Sequence, residues 1–132
     1  MNHALITLMI VFLFGCATTY ETARANNRTK LNQLSIGMEK ATVLNIMGTK
    51  TISVEVAAFV WDKITNPYRT ESFMSPDGKQ VDILYYYTDQ KASDGAITDD
   101  ELTPLVFHNG KLIGWGWRVL EDVKAKYEIR MR

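Results

Sequence analysis

Cysteine is almost missing: one residue of 132, at position 16. A single thiol excludes an intramolecular disulfide framework and any Cys-cluster metal site. Charge is missing from the first 16 residues, since all fifteen Lys+Arg and all fifteen Asp+Glu follow Cys16. The charges balance, which gives no basis for nucleic-acid binding. No apolar run is long enough to span a membrane: Ala4 to Phe14 covers eleven residues, where a spanning helix needs about 20. Catalytic signatures are lacking as well. There is no Gly-x-Ser-x-Gly elbow, and after His3 the only histidine is His108.

What is present divides at Cys16. Ala4–Phe14 has the length of a signal-peptide apolar core, and it runs into Leu13-Phe14-Gly15-Cys16. This tetrapeptide resembles a bacterial lipobox, in which a small residue precedes a cysteine that is acylated before cleavage. The resemblance implies a signal peptide over residues 1–15, a palmitate-bearing Cys16 at the head of the mature chain, and a lipid-anchored protein. Ala17 follows the cysteine; an Asp there usually retains Gram-negative lipoproteins at the inner membrane, so Ala17 implies the outer membrane, on its periplasmic face. Residues 16–27 are small and polar without apolar period and read as a tether. Residues 28–132 read as one domain, whose size allows roughly two-thirds of the unfolded surface to be buried.

Within that domain Asn26 or Asn27 is placed to cap a short helix running to Leu34. Val43, Ile46 and Met47 recur at i, i+3, i+4, predicting an amphipathic helix that Gly48 ends. Residues 52–61 alternate like a strand at Ile52, Val54 and Val56, but Ala57-Ala58 suits a helix. Pro67 breaks regular structure at Asn66–Arg69, and Pro76-Asp77-Gly78 is a turn. Lys79–Thr88 is the clearest strand, with Val81, Ile83, Tyr85 and Tyr87 on one face and Leu84 and Tyr86 on the other. Leu102–His108 and Lys111–Arg118 are two further strands joined by Asn109-Gly110, a hairpin signal because both turn residues need positive φ. Gly114 and Gly116 leave room for a packed helix or mark a bulge. Val119–Arg132 is charged with weak periodicity, a frayed helix or an edge segment. The expected class is α+β, two short helices on a three- or four-stranded antiparallel sheet in an ααβββ two-layer sandwich.

Leu34-x-x-Gly37-Met38-x-x-x-x-Val43-x-x-x-x-Gly48, after a lipobox and a polar stretch, resembles the BamE-like (SmpA/OmlA) small outer-membrane lipoproteins. Phe107-His108-Asn109-Gly110-Lys111-Leu112 resembles that family's last hairpin. The resemblance implies the ααβββ fold, outer-membrane attachment and a non-catalytic role, in a side branch away from the barrel-assembly factor itself.

Other constellations read as structural. His108 has no nucleophile in sequence context and reads as a surface residue. Asp89, Asp94, Asp99, Asp100 and Glu101 lack a calcium-loop rhythm, and Thr98-x-x-Glu101 fits a capping box in a solvated loop. No cofactor or metal is expected. Asn66, Pro67, Tyr68, Arg69 and Tyr86 form the candidate partner-binding patch, because Tyr and Arg dominate binding hot spots. Residues 17–50 hold five basic and two acidic residues, 51–101 four and ten, and 102–132 six and three. This patterning points to a basic base near anionic lipid and an acidic far side. The functional expectation is a non-enzymatic, lipid-anchored adaptor with an envelope protein partner, active in outer-membrane protein assembly or envelope integrity; the alternative is a periplasmic inhibitor or small-ligand module of similar fold.

Overall fold

The computed structural model describes residues 19–56, 59–92 and 94–127. The signal segment, Cys16 and Ala17 lie outside these described residues. Helix α1 covers residues 19–31. It is followed by α2 (Lys40–Met47), β1 (Thr51–Val56), β2 (Phe59–Thr65), β3 (Arg69–Met74), β4 (Gln80–Tyr87), a 3-10 turn (Asp99–Glu101), β5 (Leu102–His108), β6 (Lys111–Trp115) and α3 (Trp117–Tyr127). The α+β class is as expected. A four-stranded antiparallel sheet has the order β3-β4-β5-β6, and β1 and β2 form a separate antiparallel hairpin.

The sheet is covered on both faces because β4 is apolar on both. Val81, Ile83, Tyr85 and Tyr87 face Leu120 and Val123 of α3, with Ile64 of β2 and Ala23 of α1 in the same cluster. Leu84 and Tyr86 face Val43 and Met47 of α2, together with Leu105, Phe107 and Leu112. The alternation read from Lys79–Thr88 thus describes two buried faces rather than one buried and one wet. Helix α2 and the sheet supply the two expected layers, and α3 adds a third on the opposite side.

Three local features follow from residue type. Gly48 has φ +84° and donates its N–H to the Leu44 carbonyl at 2.8 Å, closing α2 as its position predicts. In β6, Leu112 pairs with Phe107 and Gly114 with Val106, so Ile113 is an extra residue and the strand bulges. Gly114 also admits α3: a Cβ there would stand 2.9 Å from Val119 Cγ1. Both roles anticipated for the glycine occur at one residue.

Four expectations change. Residues 19–27, read as tether, are helical, with Ala23, Arg24 and Asn27 buried. Of the ambiguous 52–61 stretch, residues 52–56 lie in β1 and residues 59–61 in β2, and Ala57-Ala58 lies outside the described residues. Trp117 and Arg118 begin α3 instead of ending a strand, where the Trp117 indole donates to the Leu102 carbonyl at 2.9 Å. β3 pairs with β4 along its whole length, a strand absent from the sequence reading. Its residues, Arg-Thr-Glu-Ser-Phe-Met, alternate between half-buried and exposed, as an edge strand with one covered face should.

Helix α1 crosses the end of the sheet. Asn27 exchanges two amide hydrogen bonds with Asn66, at 3.2 and 3.0 Å, and donates to the Tyr87 carbonyl at 2.8 Å. Replacing Asn27 with Ala leaves buried polar partners unmatched and should cost about 1–3 kcal/mol in urea unfolding; a tether position would stay within roughly 0.5 kcal/mol.

Candidate functional site

The candidate patch at Asn66–Arg69 and Tyr86 is not one surface. Asn66 is 8% exposed and is spent on Asn27. The Asn66–Pro67 peptide is cis and turns β2 into β3. Arg69 lies with its guanidinium 4.1 Å from the Tyr85 ring centre, donates to Asp99 at 2.7 Å, and sits 3.3 Å from Glu71. Its charge is therefore committed within the fold. Tyr86, expected in the exposed patch, is fully buried beneath α2, and its hydroxyl donates to the Gly48 carbonyl at 3.4 Å. Burial pushes its pKa up to about 12. The strand period explains the correction: Tyr86 shares a face with Leu84, which α2 covers. Of the five residues only Tyr68 is a large exposed apolar side chain.

Tyr68 nevertheless opens onto a surface that the sequence reading missed. Thr70, Ser72 and Met74 are exposed along β3, and they pair with Leu84, Asp82 and Gln80, on the α2 side of the sheet. Helix α2 covers the β4–β6 part of that side and leaves β3 open. Met74 is 66% exposed at the far end. Among the described residues β3 has no strand partner except β4, so its outer edge presents unpaired backbone groups. The opposite edge is partly closed: Gly37 donates to the Leu112 carbonyl at 2.7 Å, Leu112 donates to the Met38 carbonyl at 2.8 Å, and Glu39 bridges Lys111.

Beside this ledge sits Asp82, 4% exposed. It accepts hydrogen bonds from Ser72 at 2.5 Å, Gln80 at 2.8 Å and Lys40 at 3.0 Å. Burial alone would raise its pKa, but these donors outweigh burial and hold it below the ordinary carboxylate value. The arrangement locks α2 to β3 and β4.

Two of the clefts along α1 gather charged side chains. One, of about 270 Å³, is lined by Tyr20, Arg24, Tyr87 and Ile97. In it Arg24 donates to the Tyr87 hydroxyl at 2.6 Å and holds Glu21 through two nitrogens at 3.0 and 2.6 Å. The other, of about 440 Å³, lies between α1, the end of α2 and the start of β1. Lys30, Lys50, Asn26 and Asn45 line it over Leu44 and Ile52. A signal for α1 is visible in retrospect: Tyr20, Ala23, Arg24, Asn27 and Leu31 recur at helical spacing, but through polar side chains.

The remaining readings sort clearly. Glu101, expected in a solvated loop, is 1% exposed. Its carboxylate accepts N–H groups from Lys91 at 2.6 Å, Thr98 at 3.2 Å and Ala92 at 3.3 Å. It is the post around which the 89–101 loop is wound, and the Thr98 contact is the Glu half of the predicted capping box. His108, expected at the surface, is half-buried: it stacks on Tyr127 at 5.1 Å, with Nε2 3.5 Å from Asp77. Among the described residues no three His, Cys, Asp or Glu side chains gather to hold a metal ion, and no helix there is long and apolar enough to cross a membrane.

A family model described as "Protein of unknown function (DUF3192)" matches residues 15–122. No curated protein and no solved structure matches the chain.

The Asp82 arrangement carries a pH signature. A carboxylate whose folded pKa is depressed contributes stability above its unfolded pKa and loses it as pH falls through the folded value. Asp82→Ala should therefore cost about 1.5–3 kcal/mol at neutral pH, and the gap to the native chain should narrow below the ordinary carboxylate range. Urea midpoints from pH 7 downward measure it.

Proposed function

We propose that this chain, which belongs to the DUF3192 family, is a non-enzymatic lipoprotein acylated at Cys16 and held on the periplasmic face of the outer membrane. There it serves as a protein-binding adaptor of the BamE-like kind in envelope assembly or integrity. The β3 ledge carries the reading. An open edge strand flanked by Tyr68 and Met74 is suited to strand addition, in which backbone hydrogen bonds give affinity and alternate side chains give selectivity. An extended segment of an envelope protein is the fitting occupant. The matched family segment starts at Gly15, so it contains Cys16 and leaves the apolar run outside, as expected if the family shares the mature chain rather than the signal.

A second reading has one observation in its favour. The cleft with Lys30, Lys50 and the asparagines is a concave site with converging polar groups, the form taken by a small-ligand module.

In-cell photocrosslinking at Tyr68 and Thr70, with radiolabelled palmitate in the same cells, separates these readings. The adaptor account expects palmitate label that Cys16→Ser abolishes, and envelope-protein adducts from both β3 sites but none from Asp122 on α3. Tyr68→Ala should weaken the captured complex roughly tenfold. Adduct-free β3 sites, alongside a melting shift by small anions that Lys50→Ala removes, would favour the ligand module.

A further inference from the structure

Backbone parity decides which groups of β3 are free to bond a strand added at its edge. Along an antiparallel strand, successive residues turn their N–H and C=O alternately toward one neighbour and then the other. In β4 the Gln80 carbonyl accepts from Asn109 at 2.8 Å, on the β5 side. Just before β4 the Lys79 carbonyl accepts from Ser75 at 2.8 Å, on the β3 side. Odd-numbered residues of β4 therefore face β3, where Val81, Ile83 and Tyr85 pair with Phe73, Glu71 and Arg69. The backbone groups that point outward from β3 are those of Thr70, Ser72 and Met74.

A strand laid antiparallel on this edge exchanges its backbone bonds with those residues. Its intervening residues stand opposite Arg69, Glu71 and Phe73 as non-hydrogen-bonded pairs, the closer kind, with Cα atoms about 4.5 Å apart. All three side chains are half-buried on the α3 side of the sheet. Phe73 packs against the apolar cluster there. Arg69 and Glu71 belong to a charge group that does not balance. The one guanidinium is shared by two carboxylates, Asp99 at 2.7 Å and Glu71 at 3.3 Å. The other oxygen of Glu71 accepts from the neutral Tyr85 hydroxyl at 3.0 Å. Among the described residues no second cation reaches either carboxylate, so one negative charge is left over. On the opposite face the Ser72 hydroxyl is spent on Asp82, whose charge Lys40 answers. The unbalanced charge is thus confined to the α3 side.

We infer that the β3 edge selects an extended partner segment that places a lysine or arginine opposite Glu71 and, two residues before it, an apolar side chain opposite Phe73. A cation at that place meets the charge that Arg69 leaves unanswered. An acidic residue there meets like charge, which cross-strand pairs disfavour. Two residues further on, opposite the Arg69 guanidinium, a cation is disfavoured for the same reason. The occupant is therefore read as apolar, any, basic in the partner's own chain direction. The inference rests on the strand-addition reading proposed above and adds the chemistry of the segment. It draws on no residue before Tyr68.

The test titrates the full chain, as purified from cells, with two capped hexapeptides: Thr-Val-Thr-Lys-Thr-Ser and the same peptide with Glu in place of Lys. Amide hydrogen exchange is read residue by residue. In the free protein the Arg69, Glu71 and Phe73 amides should be protected and those of Thr70, Ser72 and Met74 should exchange freely. The Lys peptide should protect these last three and bind about tenfold more tightly than the Glu peptide at low salt. Glu71→Gln should narrow that gap to about threefold, with β4 and β5 amides still protected as the check on folding. Asp99→Asn repeats the reading if Glu71→Gln does not fold. Equal affinity for the two peptides, or a gap that neither substitution narrows, would overturn the basic preference and leave strand addition standing. No protection of Thr70, Ser72 and Met74 by either peptide would remove strand addition and the inference with it. Protection that rises with protein concentration in the absence of peptide would assign the edge to a second copy of the chain and overturn the inference as well.

Discussion

The end of β4 has to be closed, and the rest of the molecule is arranged around how this is done. β4 is buried on both faces, so the carbonyls of Tyr87 and Thr88 emerge where an apolar interior meets the edge of the fold. Backbone carbonyls in such a place require donors. Asn27 of α1 supplies one to Tyr87, and Arg28 supplies another to Thr88 at 2.7 Å. Arg24 adds a bond to the Tyr87 hydroxyl, and the Asn27–Asn66 amide pair ties the same helix to the β2–β3 corner. Helix α1 is therefore seated by polar complementarity added to the apolar contacts of Ala23, Tyr20 and Leu31.

This mode of seating has consequences at both ends of the helix. Its last turn reaches the α2 side, where Lys30 donates to the Met47 carbonyl at 3.1 Å and offsets the negative end of the α2 dipole. Its first turn lies on the α3 side against Asp62 and the Tyr87 ring. The chain upstream thus leaves from a fixed point at a fixed side of the sheet. If Cys16 carries lipid, orientation comes from the fold itself. The β3 ledge then becomes a surface presented at a set height above the membrane rather than one on a swinging tether.

How much of this could be read from the residues depended on whether apolar periodicity carried the element. The β4 alternation, the Asn109-Gly110 hairpin, the α2 face at Val43 and Met47, and the dual use of Gly114 were all legible, because each is an apolar pattern or a backbone demand. Helix α1 was not, because two of its three buried positions are Arg24 and Asn27, which look like solvated residues until their partners are known. β3 was hidden for a similar reason: Thr70 and Ser72 are outward positions on an edge strand, so half of its pattern is polar, and Arg69 is inward only because Tyr85 and Asp99 receive it. Tyr86 was misplaced since an aromatic on the second face of a strand looks free until a helix is found to cover it. The α+β class survived these misses because it depends on the sheet and α2, the elements that burial of apolar residues dictates.

The central claim is that α1 belongs to the folded domain and fixes the point from which the chain reaches Cys16. Amide hydrogen exchange over residues 24–31, compared with β4 and β5 in the same chain, tests it most directly. The account predicts α1 amides protected to nearly the level of the two central strands, because opening α1 exposes the Tyr87 and Thr88 carbonyls and the Asn66 amide together. Exchange of α1 at the rate of an unstructured peptide, with β4 and β5 still protected, would contradict it.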